Sequence, residues 1–421
     1  MRRAKIGSAL PLALGAALAL TAIAGTWQVA AMDPIKAFKP NDPNCRNTGN
    51  FDGWLEGFRR EARASGITSA TLANALGGMT LDPGIIARDR KQGFFAQTFT
   101  AFSGKLISQN RLTSGANRLK QHRDVLAKVE QQYGVPGPII VAFWALESDF
   151  GVGMGNLPVL RSLATLAYDC RRGEMFRAEL MAALKIIDRG DLRPEDMIGS
   201  WAGELGQTQF LPSHYLAHAV DYDGDGKRNM FKSVPDIVGS TGAFIAHLGW
   251  QRGQPWLQEV RVPGNLPWDQ ADLAIQHQHS KWAQMGVVGI DGKPLPGDAL
   301  PASLLLPMGR FGPAFLAYQN FRVYLQWNQS LNYAITAAYL AARLAGAPAM
   351  ARASAEIPEL NPAQAKELQQ LLTRRGYFSG EIDGKIGAET RAGVKQAQIK
   401  LGFPADSYPT PELLDRLRGA R

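Results

Sequence analysis

The chain has 421 residues, more than one compact core usually holds, so two or more domains are expected. Its 45% hydrophobic and 20% charged content excludes an intrinsically disordered chain. The net charge of +9 suits an anionic partner, yet no basic run interleaved with aromatics favours nucleic acid.

At the N-terminus, Arg2, Arg3 and Lys5 precede an uncharged apolar run over residues 9–23, and Val29-Ala30-Ala31 offers small residues for cleavage near Ala31 or Met32. Residues 1–31 therefore read as a secretory signal peptide. A membrane span is the alternative, but the run is short for one and no basic stop-transfer segment follows. No cysteine sits at the cleavage point, so the mature chain is expected to be exported without a membrane anchor. Cys45 and Cys170 are the only cysteines. In an oxidising compartment such a pair invites a disulfide, here tying a Pro-rich lead-in to the centre of the chain; two separate buried thiols are the alternative.

From Phe51 to about Leu344 the pattern is mainly helical, with apolar residues three and four apart over residues 54–64, 115–133 and 174–188. Strand-like alternation is scarce until residues 260–307, which are irregular and rich in Pro and Gly. A last helix is expected near residues 332–344, followed by an aperiodic Gly/Pro/Ala/Ser stretch that reads as a linker. The tail carries three further short helical patterns. Leu368, Leu371 and Leu372 mark the first, and Val394, Ala397 and Leu401 the second. Thr410-Pro411 caps and opens a third, bearing Leu413, Leu414 and Leu417.

Residues 139–146 (IIVAFWAL) are apolar on every side, so as a helix they must be buried all round. The run ends in Glu147. Low dielectric and the negative end of a helix dipole both disfavour an ionised carboxyl there, which would raise its pKa from about 4.3 towards roughly 6–7, as an acid working near neutral pH requires. A structural Glu that caps a neighbouring loop is the other reading of this stretch alone. The loop Asp221-Tyr222-Asp223-Gly224-Asp225-Gly226-Lys227-Arg228-Asn229 has the oxygen ligands and turn glycine of the first nine positions of an EF-hand. Position 12 is Lys232, and Asp236 is the nearby carboxylate that could replace the usual Glu. Structural calcium and a metal-free acidic turn both remain open. The six histidines form no HExxH motif, and no GxSxG or Walker loop occurs.

Taken in order, the motifs Leu146-Glu147-Ser148-Asp149-Phe150-Gly151, LATLAY at 163–168, GSWAGELGQTQFLPS at 199–213, the acidic loop at 221–229, Trp327-Asn328 and Tyr333-Ala334 resemble the lysozyme-like lytic transglycosylases of the membrane-bound lytic transglycosylase B type. The tail, through Leu368-Gln369, Gly376-Tyr377, Asp383-Gly384, Gly387 and Thr390, resembles a peptidoglycan-binding module. The resemblance implies a mainly α chain: a lysozyme-like α+β catalytic domain with a helical accessory subdomain over residues 32–345, a linker at 346–357, and a small three-helix C-terminal domain at 358–421. It implies a periplasmic enzyme acting on peptidoglycan glycan strands, with other cell-wall enzymes as further partners and no cofactor for the chemistry. Glu147 matches the family's single acid/base. Ser200, Gln209, Asn328 and Tyr333 match positions of the substrate cleft, and Phe102 and Phe244 stand where family members often place tyrosines. A ring for sugar stacking is kept there, and the phenol hydroxyl is not. The family has a comparable acidic loop, with Asp221, Asp223, Asp225, Asn229 and Asp236 as the candidate calcium ligands here. The alternatives are a hydrolytic muramidase on the same fold, with Asp149, Glu174 or Glu204 as a second carboxylate, and a non-catalytic wall-binding protein.

Overall fold

The computed structural model describes residues 44–47, 49–91 and 98–419. The signal peptide and its cleavage point lie outside the described residues. Among the described residues no helix is long and apolar enough to cross a membrane.

The uniformly apolar run becomes the helix Gly137–Ser148, with residues 139–145 buried. A helix with no polar face needs neighbours on all sides. It finds them in Gln109–Gln121, Arg123–Tyr133, Val234–His247 and Leu331–Leu344, which pack round it. A second helical group is built from Val159–Tyr168, Gly173–Asp188 and Pro212–His218. A two-stranded antiparallel ribbon, β1 (Leu157–Pro158) with β2 (Ile198–Gly199), adjoins the helix Val159–Tyr168.

The Pro/Gly-rich stretch folds as an antiparallel sheet of β3 (Leu257–Arg261), β4 (His277–Gln278), β5 (Val288–Gly289), β6 (Pro301–Leu305) and β7 (Ala314–Ala317), in the order β4-β6-β7-β3-β5. It carries its own apolar cluster around Trp282, Leu304 and Leu316. The strands are two to five residues long, and β6 is buried at four consecutive positions. Period-two alternation is therefore absent from the sequence, and only the sheet itself shows it.

The tail forms the helices Pro362–Arg374, Ala388–Leu401 and Pro411–Gly419 round a third cluster. Asn361 and Gln364 close a capping box on the first, and Thr410 Oγ1 accepts from Leu413 N at 3.2 Å on the last. The segment before it is held against the sheet region: Ala351 N donates to Glu259 Oε1 at 2.8 Å, and Ser354 N to the Phe311 carbonyl at 2.9 Å. The module itself is docked. The Arg391 guanidinium donates to the Leu306 and Pro307 carbonyls at 2.6 and 3.1 Å, and Lys395 pairs with Asp272 at 2.8 Å.

Cys45 and Cys170 form a disulfide across 125 residues, beside the ion pair of Arg90 with Asp169 at 2.7 Å. A closed loop of that length stabilises by about 2–5 kcal/mol, chiefly by restricting the unfolded chain. Replacing Cys45 with Ser should lower the urea midpoint accordingly with little change in slope. An unmoved midpoint under oxidising conditions would show that the bridge holds only a frayed end.

Candidate active site

Three left-handed residues in succession, Asp149 (φ 51), Phe150 (φ 62) and Gly151 (φ 94), turn the chain sharply after Glu147. Only glycine fits the third position, because a Cβ there would meet the Gln207 side chain at 2.7 Å. Gln207 stitches this turn to the loop that carries GELGQTQF. Its Oε1 accepts from Trp144 Nε1 at 2.7 Å, its Nε2 donates to the Phe231 carbonyl at 2.8 Å, and its own carbonyl accepts from Ser148 Oγ at 2.6 Å. The buried helix and the loop thus meet at fixed register, with Glu147 between them.

Glu147 Oε1 accepts from Trp327 Nε1 at 2.9 Å and from the Tyr333 hydroxyl. Trp327 lies at the end of the helix Phe321–Trp327, stacked on Phe143 with ring centroids 4.1 Å apart. Tyr333 opens the helix Leu331–Leu344, whose cap Ser330 accepts from Tyr333 N. Burial pushes the Glu147 carboxyl up to about 7 against these two hydrogen bonds, which lower it, and the negative charge of Glu204 adds to the rise. Tyr333 is driven well above its ordinary value by burial and by the Glu147 charge, so it stays a donor.

Glu147 opens into a cleft of about 290 Å³ shared with Gln209, Phe244, Trp327 and Asn328. Gln209 is itself left-handed (φ 49), with Nε2 donating to the Gly206 carbonyl at 2.7 Å. A non-glycine residue in this region costs about 1–3 kcal/mol, which the surrounding loop must offset. Tyr333 stands behind Glu147 as its donor. Ser200 is engaged otherwise: its Oγ donates to Glu204 Oε2 at 2.9 Å and accepts from the amides of Ala202 and Glu204. Phe102 lies on the helix Phe99–Leu106 and does not line the cleft.

Of the three candidate second carboxylates, Asp149 is ion-paired to Arg111 at 3.0 Å and Glu174 is exposed on its helix. Only Glu204 lines the cleft, where burial raises its pKa. The structure also brings in Arg172, Trp201 and His214, which the motif reading does not single out. The His214 ring lies 4.6 Å from Phe244, and burial, then the nearby His247, lowers its pKa. Its one sequence signal is the four-residue spacing to His218, which points to a shared helix face and to no motif.

This geometry can be set beside known proteins. The transglycosylase SLT domain family matches residues 50–342, most of the chain. The chain belongs to the transglycosylase SLT family. A peptidoglycan binding domain matches residues 361–417. Membrane-bound lytic murein transglycosylase B of Escherichia coli (strain K12) is 33% identical over 233 residues, 55% of this chain and 63% of that protein. The match therefore spans less than two thirds of that relative's length. Among solved structures, SltB3 from Pseudomonas aeruginosa in complex with NAG-anhNAM-pentapeptide has a TM-score of 0.82 at 43% identity, covering 88% of this chain and 100% of that one. The Escherichia coli lytic transglycosylase Slt35 in complex with calcium has a TM-score of 0.61 at 27% identity, covering 73% and 98%.

In this SLT-family chain the acidic loop hangs between the helices Pro212–His218 and Val234–His247. Asp221, Asp223 and Asp236 bring carboxylate oxygens within 4.8 Å of one another. Asp236 is fully buried; its two oxygens accept from the amides of Tyr222 at 2.7 Å and Asn229 at 2.6 Å. Asp225 instead accepts from Lys227 N at 2.8 Å, and Asn229 Oδ1 from the amides of Phe231 and Lys232. The EF-hand spacing thus converges on three of its five candidates, with Asp236 in place of the missing Glu.

The sign of the Glu147 shift has consequences for pH. A carboxyl raised from 4.5 to about 7 by folding contributes fully to stability below its unfolded pKa, and that contribution is lost as pH rises through about 7. The Glu147→Gln variant should match the wild type near pH 4 and exceed it by roughly 2–3 kcal/mol at pH 8. Thermal unfolding at both pH values reads this directly; equal differences at the two would show that Glu147 ionises freely in the folded state.

Proposed function

We propose that the protein is a lytic transglycosylase that cleaves the β-1,4 bond between MurNAc and GlcNAc in peptidoglycan, with Glu147 as its single acid/base. The observation that carries this reading is a buried carboxyl, its pKa pushed up to about 7 by burial, held on one oxygen by two neutral donors. Both donors engage Oε1, which leaves Oε2 to face the substrate. Protonated Glu147 gives its proton to the glycosidic oxygen as the C1–O bond breaks. The carboxylate then takes the proton of the 6-hydroxyl of the same MurNAc as that oxygen closes on C1. A 1,6-anhydro ring results, no water is consumed, and Glu147 returns to its starting state. Trp327 and Tyr333 stabilise the carboxylate formed in between. Gln209, Asn328, Phe244 and Trp327 line the path of the sugars, where an amide suits acetamido groups and aromatic faces suit the pyranose rings. Ser200 acts through Glu204. Phe102 is assigned no contact with the reacting sugars.

The anhydro sugar named in the SltB3 complex and the name of the Escherichia coli relative support this reading. A hydrolytic muramidase would need a carboxylate to activate water, and Glu204 is the one cleft group with that capacity. Mass spectrometry of purified sacculi digested by the protein separates the two, since an anhydro end is one water lighter than a reducing end. Anhydro ends are expected from the wild type, and no muropeptide release from Glu147→Gln. Reducing ends alone would replace the transglycosylase by the muramidase. Unchanged release by the variant would remove Glu147 from the chemistry.

The N-terminal pattern of residues 1–31 supports the reading of an exported protein that meets peptidoglycan in the periplasm. Domain limits of 32–345, 346–357 and 358–421 accord with the family matches at 50–342 and 361–417.

The acidic loop offers hard oxygen donors within reach of one ion, which fits calcium. Asp221, Asp223 and Asp236 would hold it, and its service is structural: it would tie the two helices that follow and precede the cleft loops. At about ten times its Kd, calcium should add ~1.4 kcal/mol to unfolding stability, and Asp221→Asn should abolish the increment. A melting temperature indifferent to calcium and chelator alike would identify a metal-free acidic turn.

A further inference from the structure

The docked C-terminal module does not close completely on the catalytic domain. Between them lies a cavity of about 300 Å³, within the usual range of ligand pockets. One wall is the turn formed by residues 329–331; the other is the module turn at Lys385 and Ile386, with Leu360. The 329–331 turn has a second face. It joins Asn328, which lines the Glu147 cleft, to Tyr333, which donates to Glu147. From Asn328 to Tyr333 the chain can span at most about 17 Å, so the cavity and the cleft are neighbours across one short turn. The cavity is also preformed, because Arg391 and Lys395 anchor the module to fixed carbonyl and carboxylate partners.

We propose that this interdomain cavity receives the stem peptide of the strand whose sugars occupy the Glu147 cleft. The inference rests on the transglycosylase reading and gives it a peptide specificity. Its lining is divided chemically. Phe99, Met308, Leu360 and Ile386 supply apolar wall, while Lys385, in a half-exposed ion pair with Asp383 at 3.4 Å, and Glu359 bring opposite charges to exposed positions. In a peptide-bearing strand the MurNAc lactyl carboxylate is tied up as an amide, so the glycan itself is neutral. The stem peptide carries free carboxylates, a free amine and aliphatic side chains. A cation and an anion flanking an apolar wall are complementary to that peptide, and a neutral sugar makes use of neither charge. The C-terminal module thereby becomes part of substrate selection at the bond being cut.

The test compares full-length protein on glycan strands bearing peptides and on the same strands stripped of peptides by an amidase, with the freed lactyl carboxylates capped as methylamides so that the glycan stays neutral. The ratio of kcat/KM on the two substrates is measured by release of anhydro ends. The wild type is expected to favour peptide-bearing strands. Lys385→Glu and Glu359→Lys, each at an exposed site that folding tolerates, should each reduce that ratio about threefold to fivefold, the size of one partly screened ion pair. A wild-type ratio of one, or a ratio unmoved in both variants, overturns the assignment of the peptide to this cavity. Absence of anhydro ends from both substrates is a different result: it overturns the transglycosylase reading, and the peptide assignment with it.

Discussion

Desolvation of the Glu147 carboxyl prevails over two hydrogen bonds that favour its ionised form, and the folded chain is arranged so that it can. A rise from 4.5 to about 7 corresponds to roughly 3 kcal/mol held against the charged state. That free energy has to be supplied by burial of everything round it. The helix Gly137–Ser148 supplies the dry side, with Phe143 buried under Trp327. Trp327 and Tyr333, from two other helices, cover the near oxygen and still leave a way in from the cleft. Replacing neutral donors by cations would undo the effect, because a neighbouring positive charge favours the carboxylate. The first contacts of Glu147 are accordingly an indole and a phenol.

The same constraint accounts for the strained loops. After Glu147 and Ser148 the chain leaves the helix at once, and Asp149, Phe150 and Gly151 do so by three left-handed steps. Each non-glycine residue in that region costs free energy, which the Gln207 bonds to Trp144, Ser148 and Phe231 offset. Gln209 takes the same conformation two residues on. Left-handed residues thus flank Glu147 on two loops, and the half-buried Gln207 ties the first of these to the second.

Much of this was legible in the residues. An apolar run without a polar face has to be a central helix, and the carboxyl that ends it has to be desolvated, so Glu147 and the direction of its shift follow from local composition. Tyr333 and Trp327 are different. They lie 186 and 180 residues from Glu147, and only the ordered family motifs, not any period, bring them to it. Glu204 lies in the matched motif as a candidate second carboxylate, whereas Arg172 and His214 reach the cleft by tertiary packing alone. Ser200 sits in the matched motif, yet its hydroxyl hydrogen goes to Glu204, a preference set by backbone amides that no motif displays. The sheet escaped sequence reading because its strands are only two to five residues long and β6 and β7 are buried at consecutive positions, which erases the alternation that marks a strand.

The linker shows where composition misleads about mechanics. A Gly/Pro/Ala/Ser stretch with no period reads as a flexible tether, and a tethered module would raise the local concentration of substrate without sensing where the cleft lies. Here the stretch is pinned by the carbonyl of Phe311 and the carboxylate of Glu259, and the module by Arg391, Lys395 and the bond from Arg310 N to Asp406. Several charged contacts spread over one face define an orientation, where a single tether would define only a distance. A module held at fixed orientation can present a peptide pocket in register with a glycan cleft. The turn at residues 329–331 is then the element both must share, since its two ends carry the cleft residue Asn328 and the donor Tyr333.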